Sequence, residues 1–172
     1  MTWPMAQFDE AIIDITRGNQ KVLQRNYLSE GAIPIIDQGQ SLVGGYTDNL
    51  EFLHQSEGPV IVFGDHTKVF KYVDFPFAMG ADGVKVLKVQ SGWDSIFVYH
   101  FLRSVQFPAL GYSRHFKILK EKTIPRPPID EQRRIAALLN HADDLYARGL
   151  QMLSLSDELA MSLRSRVFHG EL

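Results

Sequence analysis

Five consecutive residues, Gly111, Tyr112, Ser113, Arg114 and His115, put a ring, a hydroxyl, a guanidinium and an imidazole on one glycine-anchored stretch. Together they offer base-edge donors, a stacking surface and phosphate contacts, which is the chemistry of nucleic-acid recognition. Arg114 can make the bidentate contact to guanine that its planar fork favours; the competing reading is a surface salt bridge or a cap on a neighbouring strand. Lys117, Lys120 and Lys122 follow closely. Lysine is a point charge without a fork, so these read as phosphate contacts, with some of them simply solvated. A second polar group, Gln38, Gln40 and Tyr46, flanks Gly39 and the pair Gly44 and Gly45. A glutamine there can read adenine, and the alternative is an ordinary loop.

A catalytic reading has one foothold, the run Asp65, His66, Thr67, Lys68. A hydrolase would use His66 as base and Asp65 as its orienter, but adjacent side chains rarely aim at one another. Asp65 therefore reads as a hairpin turn residue, with His66 and Lys68 on the DNA side of that turn. Cysteine is absent, and no serine sits in a nucleophile-elbow context. His54, His66, His100, His115, His141 and His169 show no spacing of two histidines and a carboxylate suited to a metal. The expectation is a protein with no catalytic centre, no metal and no cofactor.

The elements that must position these residues divide at Ile124, Pro125, Arg126, Pro127 and Pro128, where three prolines remove donors and forbid a continuing helix or central strand. Before that point, β-rich runs at 33–36, 60–63, 68–73 and 84–89 alternate with turn signals at Gly44-Gly45, Gly64-Asp65 and Asp82-Gly83. One helix is predicted over 94–107, with Asp94 as its N-cap and Phe97, Phe101, Leu102 and Val105 on one side. This is an α+β head over 1–124, with 125–172 forming the proline boundary and a long helix.

That helix carries the strongest pattern in the chain. Asp130 can cap it, Glu131 favours its positive end, and no proline follows. Three heptad series are apolar or small throughout: Leu138, Leu145, Met152, Leu159; Leu139, Tyr146, Leu153, Ala160, Val167; and Ile135, Ala142, Gly149, Ser156, Leu163. A stripe with a seven-residue repeat suits a helix packed lengthwise on another helix, here as an antiparallel coiled coil between two copies. At 1.5 Å per residue the helix would run roughly 60 Å, longer than its own head can cover. Gly149 costs about 1 kcal/mol inside a helix, and its place in the small series points to close helix approach; the alternative is a chain that folds back there.

Composition bounds the class. The 172 residues are 45% hydrophobic and 22% charged, which is globular rather than disordered. The amino terminus lacks a signal-peptide pattern, and nowhere do eighteen uncharged apolar residues follow one another, so the expectation is a cytoplasmic protein with no membrane segment. The formal net charge of -2 argues mildly against nucleic acid, but its distribution is uneven. Residues 1–60 hold three basic and eight acidic groups; residues 101–134 hold eight basic and three acidic. Such asymmetry can create a positive face on an acidic protein, or be interleaved by folding.

The residues from Gly111 to Lys120, and then Ile124-Pro125-Arg126-Pro127-Pro128-Ile129-Asp130-Glu131-Gln132-Arg133-Arg134-Ile135, resemble the end of a target-recognition domain in Type I restriction-modification specificity subunits. Isoleucine-proline, two further prolines, and glutamate-glutamine opening a long helix are the specific element. Residues 60–67, 77–83 and the closing Phe168-His169-Gly170-Glu171-Leu172 are similar to other segments of that family. The resemblance implies a non-catalytic subunit that binds double-stranded DNA and docks a methyltransferase subunit and a restriction subunit, which carry the chemistry. Such subunits contain two recognition domains and two spacer helices, whereas one of each is found here. The resemblance thus implies a half-size version restored by a symmetric pair, or a fragment. A non-DNA-binding dimerisation or regulatory protein, suggested by the acidic first third, is the alternative.

Overall fold

A computed structural model describes residues 3–108 and 114–170. The chain forms two compact units, Met1–Arg133 and Arg134–Leu172.

Within the first unit the apolar runs become short strands in three sheets. Strand β1 (Met5–Gln7) leads through a one-turn helix α1 (Phe8–Ala11) into β2 (Ile12–Asp14), β3 (Lys21–Val22), β4 (Ile33–Ile36) and β5 (Gly45–Thr47). Next come β6 (Val60–Gly64), β7 (Phe70–Val73), β8 (Ala78–Gly80) and β9 (Val84–Val89). Helices α2 (Ser95–Ser104) and α3 (Phe116–Lys120) precede β10 (Thr123–Pro125) and the final helix α4 (Ile129–Phe168). One four-stranded sheet is antiparallel in the order β2-β9-β6-β7; the other runs β3-β8-β4-β5, with β8 parallel to β3 and β4. Strands β1 and β10 pair with each other.

Strand β6 is buried at all five positions, as a β-branched run covered on both faces must be. One face sends Val60 and Val62, with Val84 and Val86 of β9 and Val73 of β7, against Ile36 and Met79 of the second sheet. On β6 the alternate residue Phe63 stacks on Phe70 at 4.6 Å and on Phe107 at 5.9 Å, and lies 6.3 Å from Phe116. This period-two division sets the core between the sheets on one side and α3 on the other.

Three expectations change in detail. The 68–73 run starts as a strand only at Phe70, because Lys68 takes a left-handed φ of 63° inside the turn. Helix α2 stops at Ser104, and its buried face is Phe97, Val98, His100 and Leu102; the Asp94 cap forms, with its carboxylate accepting the Phe97 N–H at 2.8 Å. Asp130 lies inside the first turn of α4 rather than at its cap, and the Pro128 carbonyl accepts the Glu131 and Gln132 N–H groups. Residues 125–128 are tied into the first unit, since β10 pairs with β1 and the Arg126 N–H donates to the Pro4 carbonyl at 2.8 Å.

Helix α4 runs unbroken for 40 residues through Gly149, so the chain does not fold back there. Its apolar stripe is bare: Leu138, Leu139, Leu145, Tyr146, Met152, Leu153, Leu159 and Leu163 are exposed, and Ile135 is half-buried. Among the described residues no helix is long and apolar enough to cross a membrane.

Candidate nucleic-acid interface

Strand β6 ends in the Gly64-Asp65-His66-Thr67 turn, and three other segments converge on it. The Lys68 N–H returns to the Gly64 carbonyl at 2.8 Å and the Gly64 N–H donates to Val69 at 2.9 Å, closing the turn. Its Thr67 hydroxyl donates to the Gln38 carbonyl at 2.7 Å, which brings in the loop after β4. Gly64 leaves the room this approach needs, because a Cβ there would run into the Thr67 hydroxyl and the Gln38 side chain. Gly83, at φ +75°, lets the turn before β9 approach, with the His66 ring and the Gln38 amide oxygen 2.7 and 2.8 Å from where a Cβ would stand.

Asp65 is 5% exposed and is committed to backbone. Its N–H donates to Gly83 at 2.7 Å, its carbonyl accepts the His115 N–H at 3.0 Å, and its carboxylate accepts the Phe116 N–H at 2.7 Å. One oxygen of that carboxylate is thus engaged by the first amide of α3. Among the described residues no group of three or more His, Cys, Asp or Glu is placed to hold a metal ion.

The site residues expected from sequence therefore separate. Gln38, His66 and the Lys68 turn meet at one end of the antiparallel sheet; Arg114, Lys117 and Lys120 are exposed on the segment that Asp65 fixes beside them. The Gln38 amide oxygen is buried and has no hydrogen-bond partner among the described residues. Tyr112 and Ser113 lie outside the described residues. His115 is buried rather than presented at the surface: it is 0% exposed, and its ring Nδ1 lies 3.0 Å from the Asp65 carbonyl. Its ring packs edge-on to Phe107, which makes it part of the interior. Gln40 is exposed in its loop, and Tyr46 is half-buried on the edge strand β5, where its backbone pairs with Leu28 in both directions.

Lys85 was not anticipated. In β9 it stands opposite Phe63, and its ammonium lies 5.0 Å from the centre of the Phe116 ring, with Lys120 at 5.4 Å from the same ring. Two cations thus flank one aromatic side chain at the base of α3. Strand β9 carries two lysines, Lys85 and Lys88, among its apolar residues, and only its pairing with β6 shows that Lys85 stands opposite Phe63 and beside the Phe116 ring. Lys85 is also 3.9 Å from Asp14, a half-exposed pair that moderates its charge.

Beside Gln38 and Thr67 lies a cleft of about 490 Å³, lined also by Arg25, Tyr27, Asp37 and Asp82. Burial, and then the Asp37 carboxylate, push the Tyr27 phenol up to about 12. Asp37 in turn lies 3.4 Å from the buried Lys71 ammonium, whose pKa burial lowers against the opposing pull of Asp37. That pair joins β7 of the antiparallel sheet to the chain leaving β4 of the other.

The chain thus combines a mixed α/β head, with polar turns and cations at one sheet end, and a 40-residue helix with a bare apolar stripe. The family model for the Type I restriction modification DNA specificity domain matches residues 10–150, and the chain belongs to that family. It is 27% identical over 123 residues to the Type I restriction enzyme EcoR124I/EcoR124II specificity subunit of Escherichia coli, covering 68% of this chain and 30% of that one. The fold is similar to a chain from a structural study of complex assembly and conformational transition of the type I R-M system, with a TM-score of 0.64 at 17% identity. That match covers 85% of this chain and 39% of the other. The Type-I restriction-modification system S subunit from M. genitalium gives 0.62 at 19% identity, over 84% and 40% of the two chains. The chain spans less than half the length of each of these proteins.

Proposed function

We propose that this chain is the sequence-reading part of a Type I restriction-modification complex, with the head engaging one half of a bipartite DNA site. The observation that carries this is the convergence of Gln38, His66 and Lys68 with the exposed Arg114, Lys117 and Lys120 on one framework. Such a surface provides what DNA reading needs: fork and amide groups for base edges, and lysines for phosphates. Tyr112, Ser113, Gln40 and Tyr46 belong to the same proposal as further DNA contacts.

Helix α4 pairs with the same helix of a second copy, antiparallel, and the pair docks the methyltransferase and restriction subunits. Nearly the whole apolar stripe is exposed, and its heptad spacing suits a lengthwise helical partner. Two-fold pairing places a head at each end and calls for an inverted, bipartite site.

Binding of duplex DNA titrated with salt tests the reading. A steep loss of affinity as salt rises, with about one counterion released per phosphate contact, supports it. No binding at any salt favours a dimerisation or regulatory protein instead. Methylome sequencing of cells expressing the chain with its cognate methyltransferase then gives the motif.

A further inference from the structure

Asp65 makes three hydrogen bonds to backbone groups of two other segments, and none of them is to its own hairpin. Its N–H joins Gly83 in the turn before β9, its carbonyl joins His115, and its carboxylate joins Phe116 at the start of α3. Two residues on, Thr67 joins the Gln38 carbonyl. The residue is buried, as is His115, so these bonds are made away from competing water. A charged acceptor on a backbone N–H is also stronger than a neutral one.

We infer that Asp65 is the positioning residue for DNA sequence discrimination: it clamps the turn at 65–68, the turn at 82–83 and the segment at 114–120 into one reading head. This rests on the DNA-recognition reading above. The physical argument turns on what each class of contact tolerates. A lysine near a phosphate acts through a field that decays over several ångströms, so a loosened segment still binds DNA. A hydrogen bond to a base edge fails once donor and acceptor depart by a few tenths of an ångström or point awry. Arg114 and Lys117 sit one residue to either side of the two residues that Asp65 holds, so its loss acts directly on them. Releasing the clamp should therefore remove discrimination and spare general affinity.

The test uses the assembled complex and two duplexes of equal length, one carrying the motif that the wild-type complex methylates and one with that motif scrambled. The quantity read is the ratio of the two affinities, which a partly unfolded sample does not change because both affinities fall together. Asp65→Ala should lower that ratio at least about tenfold, with scrambled-duplex binding and its salt slope unchanged. Asp65→Asn keeps an oxygen acceptor for the Phe116 N–H and should stay within about threefold of wild type. If Asp65→Ala does not fold, Asp65→Glu serves, since it keeps the charge but moves the carboxylate by one methylene and should also lower the ratio. A folded Asp65→Ala complex with a wild-type ratio overturns the proposal alone. A wild-type complex that methylates no motif and prefers no duplex overturns it together with the recognition reading.

Discussion

The side chain of Gln132 accepts the backbone N–H of Asp94 at 2.9 Å through its oxygen and donates to the Pro127 carbonyl at 2.9 Å through its nitrogen. It is 1% exposed, so neither partner has ready access to water once the amide is gone. Gln132→Ala should destabilise the head by about 1–3 kcal/mol, the cost of leaving a buried polar group unpaired. Gln132→Glu should be no better, because its second oxygen would face another acceptor at Pro127. Urea unfolding followed by tryptophan fluorescence checks both; a loss below about 0.5 kcal/mol for both variants would refute the role.

Acid should act on the head through His54. The ring is 6% exposed, lies parallel to Phe77 at 4.9 Å, and neither nitrogen has a hydrogen-bond partner among the described residues. Burial holds its pKa below the ordinary 6.5. The folded state thus resists a proton that the unfolded chain takes up, and stability falls as pH drops from about 6.5 toward the folded-state value. His54→Phe keeps a stacked ring and removes the proton. Melting curves at pH 7.5 and pH 5 should show a smaller acid-induced fall in Tm for that variant than for wild type, and equal falls would remove His54 from the account.

Arg114 and Lys120 should differ in how they fail. If Arg114 reads a base, Arg114→Ala relaxes preference at one position of the site and costs about 1–3 kcal/mol on the preferred sequence. Lys120→Ala should weaken all sequences alike and flatten the salt slope by about one unit. Competition binding against a panel of single-base variants separates the two. Unchanged binding in both would move the contact surface to the His66 turn.

Pairing through α4 predicts a dimer by light scattering. Leu145→Asp combined with Leu153→Asp places two charges in the helix seam and should give monomers whose head melts as before. A wild-type chain that stays monomeric at high concentration would count against the pairing.

The parts legible in sequence were those whose signals are local. Val60–Gly64 and Val84–Val89 announce themselves as β-branched runs, Asp94 as a cap, and α4 as a heptad stripe. Strands β1, β2 and β10 have three residues each, and β1 and β2 pair with segments distant in sequence, so no window along the chain reveals them. His115 looked like a ligand-facing group because its neighbours are polar; its burial depends on Asp65, fifty positions earlier. Asp65 was legible as a turn residue, but its hold on Phe116 is a tertiary fact that turn propensity does not encode.

The pairing of Met5 with Pro125 means that the chain enters and leaves the head side by side, about one strand spacing apart. In engineering terms the head is a cassette with both ends at a single seam. A foreign head joined at Pro4 and Arg126 would keep both ends in place but would have to supply a backbone N–H where Asp94 now meets Gln132 of α4.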